Sequence, residues 1–225
     1  MKTVALIPIR AGSKGIPGKN MKEMCGKPLC FWVIDAALNA ESIDEVWVST
    51  DSQCYIELIE DGFGEQVRTL TRPEHLAQDD TPTEDVMKHF ALTVESDTVV
   101  LLQATSPLTT PDDIEGALRV HEERGTSLLS VVEAPRGFYW KEAALRSGLC
   151  AINYDPEERP QRDEIEVVYK ENGAIYITDM YGIMKRGSRI DDCASYYIMP
   201  PDTATEIDTP EDWDIVEKLL EARLS

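Results

Sequence analysis

The sequence lacks paired cysteines, long apolar stretches and any excess of basic residues. Its five cysteines are an odd number without a Cys-x-x-Cys pair, which argues against both a disulfide framework and a zinc site. No apolar run reaches the roughly 20 residues that a membrane-spanning helix needs. The first ten residues also lack the small-residue cleavage site of a signal peptide. We therefore expect a cytoplasmic protein that has no membrane partner.

Basic residues are scarce, since 22 lysines and arginines are outnumbered by 42 acidic residues and the net charge is −20. A nucleic-acid partner is not expected, because a phosphate backbone requires a basic footprint. The few basic side chains are nevertheless concentrated, and residues 1–30 hold six of them beside a single acid. A positive segment on a strongly acidic chain indicates a local anion site, although solvated surface lysines are the more ordinary explanation.

Apolar residues alternate between the spacing of buried strands and that of amphipathic helices. This alternation predicts an α/β fold, with a mostly parallel sheet and helices on both faces, in a single domain over residues 1–225. Between residues 135 and 170 the rhythm breaks, and we interpret this stretch as an insertion or extended arm. Strands are predicted at 4–9, 46–50, 67–70, 98–103, 127–133 and 174–177, and helices at 28–40, 53–60, 84–94, from 110 onward and from 209 to about 223.

A glycine-rich basic loop, residues 10–20, directly follows the first predicted strand. In parallel sheets, ligands bind beyond the carboxyl ends of the strands. Glycines let backbone N–H groups approach a phosphate closely, and Arg10, Lys14 and Lys19 supply positive charge. The loop is neither a Walker loop nor a Gly-x-Gly-x-x-Gly fingerprint. Its residues favour a phosphate cradle over a glycine turn with surface lysines.

The wider pattern resembles the CMP-sialic acid synthetases, or acylneuraminate cytidylyltransferases. Residues 7–20 carry the most specific match, and further motifs follow in the family's order over most of the chain. The resemblance implies a Rossmann-like nucleotidyltransferase fold that transfers CMP from CTP to an acidic nine-carbon sugar with Mg²⁺ as cofactor. It also implies a homodimer in which residues 135–170 form a dimerisation insertion. The further motifs are Ser49-Thr50-Asp51, Arg72-Pro73-Glu74, Leu76-Ala77, Asp79-Asp80-Thr81, residues 101–108, residues 172–177 and residues 206–212.

The resemblance also implies a role for individual residues. Lys19 is expected near the phosphorus under attack, Arg72 and the turn at residues 81–83 at the cytosine, and Gln103 at the sugar. The CTP-binding residues would be Arg10, Ala11, Gly12, Ser13, Lys14, Lys19, Asn20, Arg72, Thr81 and Thr83, and the catalytic residues Arg10, Lys14, Lys19 and Asp208. The sugar-binding residues would be Gln103, Thr105, Ser106, Lys141, Arg162, Lys170 and Asn172.

Glu206 and Asp208 are the metal ligands that the resemblance implies, and elementary geometry supports the pair. In an extended segment the two carboxylates share one face while Ile207 points to the other. Paired hard oxygen ligands suit an Mg²⁺ ion that bridges phosphate oxygens. Without the resemblance, solvated acids ahead of a helix cap would be the simpler interpretation in a chain with 42 acids.

Three positions depart from the family's pattern. Ala104 stands where proline is usual, Lys170 where arginine is usual, and Glu206 where some members have aspartate. Lysine does not reproduce the bidentate grip of arginine on a carboxylate, so the identity of the sugar stays open. The alternatives are legionaminic, pseudaminic or another acidic sugar as acceptor, and a catalytically silent nucleotide-binding homologue.

Overall fold

The computed structural model describes residues 1–143 and 147–225, and a sheet of seven strands lies at its centre. In chain order the strands are β1 (Thr3–Pro8), β2 (Glu23–Met24), β3 (Lys27–Pro28), β4 (Glu45–Thr50), β5 (Val67–Thr71), β6 (Thr98–Leu102), β7 (Leu128–Glu133), β8 (Trp140–Glu142), β9 (Leu149–Ala151), β10 (Tyr169–Asp179) and β11 (Ser195–Ile198). The α-helices are α1 (Leu29–Leu38), α2 (Gln53–Phe63), α3 (Thr83–Ala91), α4 (Pro111–Arg124), α5 (Met180–Arg186) and α6 (Pro210–Leu224).

The central sheet has the strand order β11-β7-β10-β6-β1-β4-β5. Every neighbouring pair is parallel except the two that involve β10, which is antiparallel to both β6 and β7. The predicted mostly parallel sheet is therefore confirmed. The prediction of a short strand at 174–177 is corrected, because β10 begins at Tyr169. Since β10 runs against its neighbours, its first residues lie at the edge where the parallel strands end.

Helices cover both faces of the sheet, as the alternation of strand and helix patterns predicts. Ala5 and Ile7 of β1 belong to a buried cluster with residues of α1, α2 and α4. Val4 and Leu6 of the same strand point the other way, into a cluster with residues of α3 and α5. Successive strand residues point to opposite faces, so a run of apolar residues fills both layers.

The helix boundaries follow the capping chemistry of the sequence. Thr110 and Thr209 each cap a helix, and in each case the acid three residues later bonds back to the cap. The predicted starts of α4 and α6 are thus confirmed. Helix α3 ends three residues earlier than predicted, at Ala91. Val94 is buried from a turn after the helix, so the apolar spacing continues beyond the last helical residue.

Residues 135–170 contain the hairpin β8–β9, which forms a sheet of its own. Aromatic contacts hold the surrounding chain, with the rings of Phe138 and Tyr154 at 4.7 Å and the Arg159 guanidinium 3.6 Å from the Phe138 ring. The interpretation of this stretch as an insertion within one domain stays a prediction. Within the described ranges, no helix has the length and apolarity to cross a lipid bilayer.

Candidate active site

A cleft of about 260 Å³ lies beyond the carboxyl ends of β1, β5 and β6. It brings together the basic loop after β1 and the chain segments that follow β5 and β6, as the geometry of a parallel sheet predicts. Two polar residues without a predicted role, Gln78 and Asp79, also line it. Nine of the predicted substrate-binding residues contribute to the lining: Arg10, Ser13, Lys19, Asn20, Arg72, Thr81, Thr83, Gln103 and Thr105.

The loop of residues 10–20 is anchored by two buried side chains. The amide of Asn20 donates to the carbonyl oxygen of Arg10 at 3.0 Å and so closes the loop on itself. Ile16 packs in an apolar cluster with Ile207 and Trp213. Anchoring of this kind lowers the entropy cost of holding the backbone in one conformation for a ligand. The predicted contact of Asn20 with the triphosphate stays a prediction, and its bond to Arg10 gives it a structural role besides.

The same loop lies directly against the acidic segment 206–208. A Cβ atom at Gly15 would overlap the carbonyl oxygen of Asp208, so only glycine permits this approach. The ammonium of Lys19 donates to the carbonyl of Ile207 and lies 3.3 Å from Asp208 Oδ1. Lys19 is 14% exposed at its side chain and Asp208 is 76% exposed, so a largely desolvated cation faces an accessible carboxylate. The structure thus joins two predicted regions that lie at opposite ends of the sequence.

Arg10 and Lys14 share one carboxylate, that of Asp79. Arg10 Nη2 lies 2.6 Å from Asp79 Oδ1, and Lys14 Nζ lies 2.6 Å from Asp79 Oδ2. The hydrogen bond from Lys14, with a further one from Arg10, holds the pKa of the Asp79 carboxyl below its usual range. The Asp79 carboxylate therefore occupies the positions on Arg10 and Lys14 that an anionic ligand would use. This role of Asp79 was not predicted, although the residue belongs to the motif Asp79-Asp80-Thr81 in a loop at the same sheet edge.

Arg72 is the buried cation of the cleft, with 5% of its surface exposed. Its Nη2 donates to the carbonyl oxygen of Ile9 at 2.8 Å, which fixes the guanidinium against the end of β1. Burial lowers the pKa of the Arg72 guanidinium, and the nearby Asp51 carboxylate opposes that shift. Arginine remains charged in proteins despite such shifts. A guanidinium has five N–H donors, so the single bond to Ile9 leaves donors for a ligand in the cleft.

Ala11, Gly12 and Lys14 are predicted phosphate contacts that differ in whether they can donate a hydrogen bond to a ligand. Gly12 and Lys14 line a second cleft beside the first, together with Asp51 and Asp79. The backbone N–H of Ala11 donates to Asp51 Oδ1 at 3.1 Å, so it is already bonded. Ala11 therefore shapes the loop instead of presenting a free donor to an anion.

The predicted sugar-binding residues divide into several groups. Gln103 and Thr105 line the main cleft, whereas Ser106 lines a small neighbouring cavity and donates its N–H to the carbonyl of Gln103. Lys141 and Arg162 are exposed on β8 and on a turn, outside the lining of the cleft. Their assignment stays a prediction that depends on a second copy of the chain.

Lys170 and Asn172 of β10 have contacts other than the predicted ones. Lys170 Nζ donates to the carbonyl oxygen of Ala204 at 3.0 Å. Asn172 is 1% exposed, and its amide bonds to Ser130 and Thr203. The prediction of a sugar contact for Asn172 is corrected, because a side chain sealed in the interior does not reach a ligand. Both residues bind instead to the segment that leads to Glu206 and Asp208.

The carboxylates of Glu206 and Asp208 are the metal-binding candidates. The predicted alternation is present, with both side chains exposed and Ile207 between them fully buried. In the part of the chain that the structure describes, no group of three or more histidine, cysteine, aspartate and glutamate side chains gathers as a metal site. A metal here would complete its coordination with phosphate oxygens and water, as Mg²⁺ does in phosphate-transfer sites.

Comparison with known proteins places these features in a family context. A family model described as cytidylyltransferase matches residues 4–187. The chain is 37% identical over 218 residues to the N-acylneuraminate cytidylyltransferase of Oncorhynchus mykiss, covering 95% of this chain and 49% of that protein. It is 35% identical over 234 residues to the CMP-N,N'-diacetyllegionaminic acid synthase of Legionella pneumophila, covering 98% and 97% of the two chains.

Among solved structures, a CMP:2-keto-3-deoxy-manno-octonic acid synthetase complexed with CTP has a similar fold. Its TM-score is 0.71 at 20% sequence identity, with 99% of this chain and 100% of that chain covered. This likeness supports the fold alone. The chain spans about half the length of the fish relative and nearly the whole of the Legionella relative.

Proposed function

The chain belongs to the cytidylyltransferase family, and we propose that it transfers CMP from CTP to the anomeric hydroxyl of a sialic-acid-like nonulosonic acid. The observation that carries the proposal is the position of Lys19, which lines the cleft and lies 3.3 Å from Asp208 Oδ1. A cation of the basic loop that faces the carboxylate of Asp208 suits the transfer of a highly charged phosphoryl group, where positioning and charge stabilisation supply most of the catalysis.

In this proposal CTP occupies the main cleft. Arg10, Lys14 and Ser13 hold the triphosphate, and the two cations exchange Asp79 for phosphate oxygens. Arg72, with Thr81 and Thr83, contacts the cytosine. The fixed guanidinium supports this assignment, because a pyrimidine with a ring carbonyl offers acceptors that match its remaining donors.

The chemical step is an in-line displacement at the α-phosphorus of CTP. The anomeric hydroxyl forms the new P–O bond, the bond to the β-phosphate breaks, and pyrophosphate leaves. Lys19 and Arg10 stabilise the negative charge on the transferring and leaving phosphates. We assign Asp208 to accept the hydroxyl proton, because its carboxylate is exposed beside Lys19 and has two oxygens with separate acceptor sites.

The residues present fit Mg²⁺ as the cofactor. Glu206 and Asp208 supply hard anionic oxygens from one face of an extended segment, which is the donor type that Mg²⁺ prefers. When bound, the ion would neutralise phosphate charge. Lys19, beside Asp208, would add positive charge from the basic loop. Metal dependence is therefore part of the proposal.

A panel of acceptors tests the proposal directly. The purified chain would be incubated with CTP, Mg²⁺ and N-acetylneuraminate, N,N'-diacetyllegionaminate or a pseudaminate, and pyrophosphate release would be measured. We expect release with CTP and at least one of these sugars, and far less with ATP, GTP or UTP. Release with another triphosphate but not with CTP would contradict the base assignment. CTP binding without turnover on any acidic sugar would favour the catalytically silent homologue.

We also propose a homodimer in the cytoplasm. The hairpin β8–β9 and the residue after it carry the exposed apolar side chains of Trp140, Leu149 and Ile152, which a second copy could cover. All five cysteines are free thiols, and unpaired cysteines suit a reducing compartment. Sedimentation that finds only the 25.2 kDa monomer at micromolar concentration would contradict the dimer.

Replacing Asp79 by asparagine is expected to strengthen CTP binding. The Asp79 carboxylate competes with phosphate for Arg10 and Lys14. Because exposed ion pairs contribute little in water, we expect the dissociation constant to fall only about two- to fivefold. Calorimetry with CTP and no acceptor measures the change, and Asp80→Asn, at the exposed neighbouring position, is the matched control. Weaker binding in Asp79→Asn than in Asp80→Asn would show that Asp79 supports the bound state.

A further inference from the structure

The start of strand β10 departs from regular pairing at Asn172 and Gly173. The register of β10 against β7 shifts between Glu171 and Tyr176. Gly173 within this irregularity has a φ of +69°, a conformation that side chains with a Cβ rarely adopt. The irregularity turns the side chain of Asn172 into the interior, where it is 1% exposed. A bulge of this kind re-aims side chains locally and is common next to active sites.

Asn172 is the centre of a buried hydrogen-bond network. Its Oδ1 accepts from Ser130 Oγ at 2.6 Å, and Ser130 Oγ in turn accepts from the N–H of Ile175 at 2.8 Å. Its Nδ2 donates to Thr203 Oγ1 at 3.0 Å and contacts Met199 Sδ at 3.1 Å. Such a network in a low-dielectric interior fixes its members in one arrangement, because a broken bond leaves a buried polar group unpaired.

Thr203 connects this network to the acidic segment. It belongs to the short helical turn Pro201–Ala204, and its hydroxyl also donates to the carbonyl of Pro200 at 2.7 Å. Glu206 follows three residues later. The neighbouring carbonyl of Ala204 accepts from Lys170 of β10, so two bonds from one strand hold the chain just before Glu206.

Gly173 also provides the space that the Glu206 side chain occupies. A Cβ atom built on Gly173 would lie 3.1 Å from the carboxyl carbon and from Oε2 of Glu206. The carboxylate therefore packs against bare backbone at the bulge. Asn172 and Gly173 thus have complementary effects. Asn172 fixes the position of the segment 203–206 through Thr203, and Gly173 leaves room for the side chain of Glu206.

The two carboxylates of the pair are held from different sides. Asp208 is fixed by its N–H bond to Asp212 at the start of α6 and by Lys19. Glu206 has its support upstream, at Thr203 and Ala204. Loss of the upstream bonds is therefore expected to displace Glu206 while Asp208 and the phosphate loop keep their contacts.

We propose that Asn172 and Thr203 are positioning residues, whose buried hydrogen bond sets the position of Glu206 and so the affinity of the carboxylate pair for a divalent cation. This inference rests on the proposed function, in which Glu206 and Asp208 bind the metal. Neither residue lines the main cleft. Groups that orient metal ligands typically change metal affinity about 10- to 100-fold when they are removed.

The test replaces the Thr203 hydroxyl by a methyl group in Thr203→Val. We expect the dissociation constant for Mn²⁺, measured by electron paramagnetic resonance in the presence of CTP and no acceptor, to rise about tenfold. CTP binding without metal should stay within twofold of the unmodified chain, and Thr203→Ser should restore Mn²⁺ affinity. In Thr203→Val, the Mg²⁺ concentration for half-maximal pyrophosphate release should rise together with the Mn²⁺ dissociation constant. The kcat of this variant should largely recover at saturating metal.

Thr109→Val is the matched control, because Thr109 is a buried threonine of the adjoining loop whose hydroxyl has no hydrogen-bond partner among the described residues. Mn²⁺ affinity in Thr203→Val equal to that in Thr109→Val would overturn the inference, as would a loss that Thr203→Ser does not restore. If Glu206→Gln and Asp208→Asn also bind Mn²⁺ normally, the proposed metal site itself fails. That outcome differs from a failure of the positioning role alone, because it would show that the two carboxylates do not bind the metal.

Discussion

Replacing Lys19 by methionine is expected to lower kcat about 100- to 1000-fold, which corresponds to about 3–4 kcal/mol of lost transition-state stabilisation. Methionine keeps the apolar stem of the side chain and removes the charge beside Asp208 and the cleft. Because Lys19 is held in place by protein groups, its charge needs no reorganisation when negative charge develops on the phosphates. Initial rates of pyrophosphate release at saturating CTP, acceptor and Mg²⁺ measure the effect.

Lys22→Met provides the control for Lys19→Met. Lys22 follows the same short helical turn, and its ammonium lies 4.0 Å from the ring centroid of Trp213, outside the lining of the cleft. We expect its kcat to stay within a few-fold of the unmodified chain. A Lys19 variant that turns over as fast as the Lys22 variant would remove the loop from the mechanism. Unfolding temperatures of both variants separate lost catalysis from lost structure.

Asp208→Asn is expected to lower kcat by about 100-fold and to raise the Mg²⁺ concentration that gives half-maximal activity. The substitution keeps the size of the side chain but removes the charge that faces Lys19 and that we propose as a metal ligand. The close contact between Gly15 and the Asp208 backbone should survive, so the fold of the loop is preserved. A Mg²⁺ titration of pyrophosphate release measures both quantities.

Asp214→Asn is the matched control on the same stretch of chain, because Asp214 is exposed on α6. We expect it to keep the metal dependence of the unmodified chain. If Asp208→Asn shows the same titration curve as Asp214→Asn, Asp208 is not a metal ligand. The proposed mechanism would then lose its anionic oxygen next to Lys19.

The sequence was sufficient to predict the layered fold, because the spacing of apolar residues along the chain shows which positions of each helix or strand are buried. Continuous apolar strands and helical periodicity indicated a parallel sheet covered on both faces, and threonine-proline-acid starts located α4 and α6. The direction of β10 was not predictable in the same way. Its apolar run, 174–177, has the same appearance in either orientation, and the polar residues before it conceal five further strand residues.

The candidate site was predicted at the level of segments more accurately than at the level of side chains. The motifs predicted which segments of the chain meet at the sheet edge. In the structure, the residues around Arg10, Arg72 and Gln103 line one cleft. A motif does not determine the direction in which a side chain points. Asn172 lies in a matching motif but is turned inward by a bulge that depends on the tertiary pairing of β10. Asp79 lies in a motif that was recognised, but its role was not predictable, because only the three-dimensional structure shows that it bridges two cations.

The contact between Lys19 and Asp208 spans 189 residues of sequence, which has a consequence for how the protein is made. During synthesis the phosphate loop leaves the ribosome long before its carboxylate partners exist. At about 5–20 residues per second, roughly 10–40 s separate the two. Contacts of such long separation carry a large loop-closure cost and form after local structure. The nascent sheet can therefore assemble while this contact is still absent, and the proposed site becomes complete only after residue 208 has been synthesised.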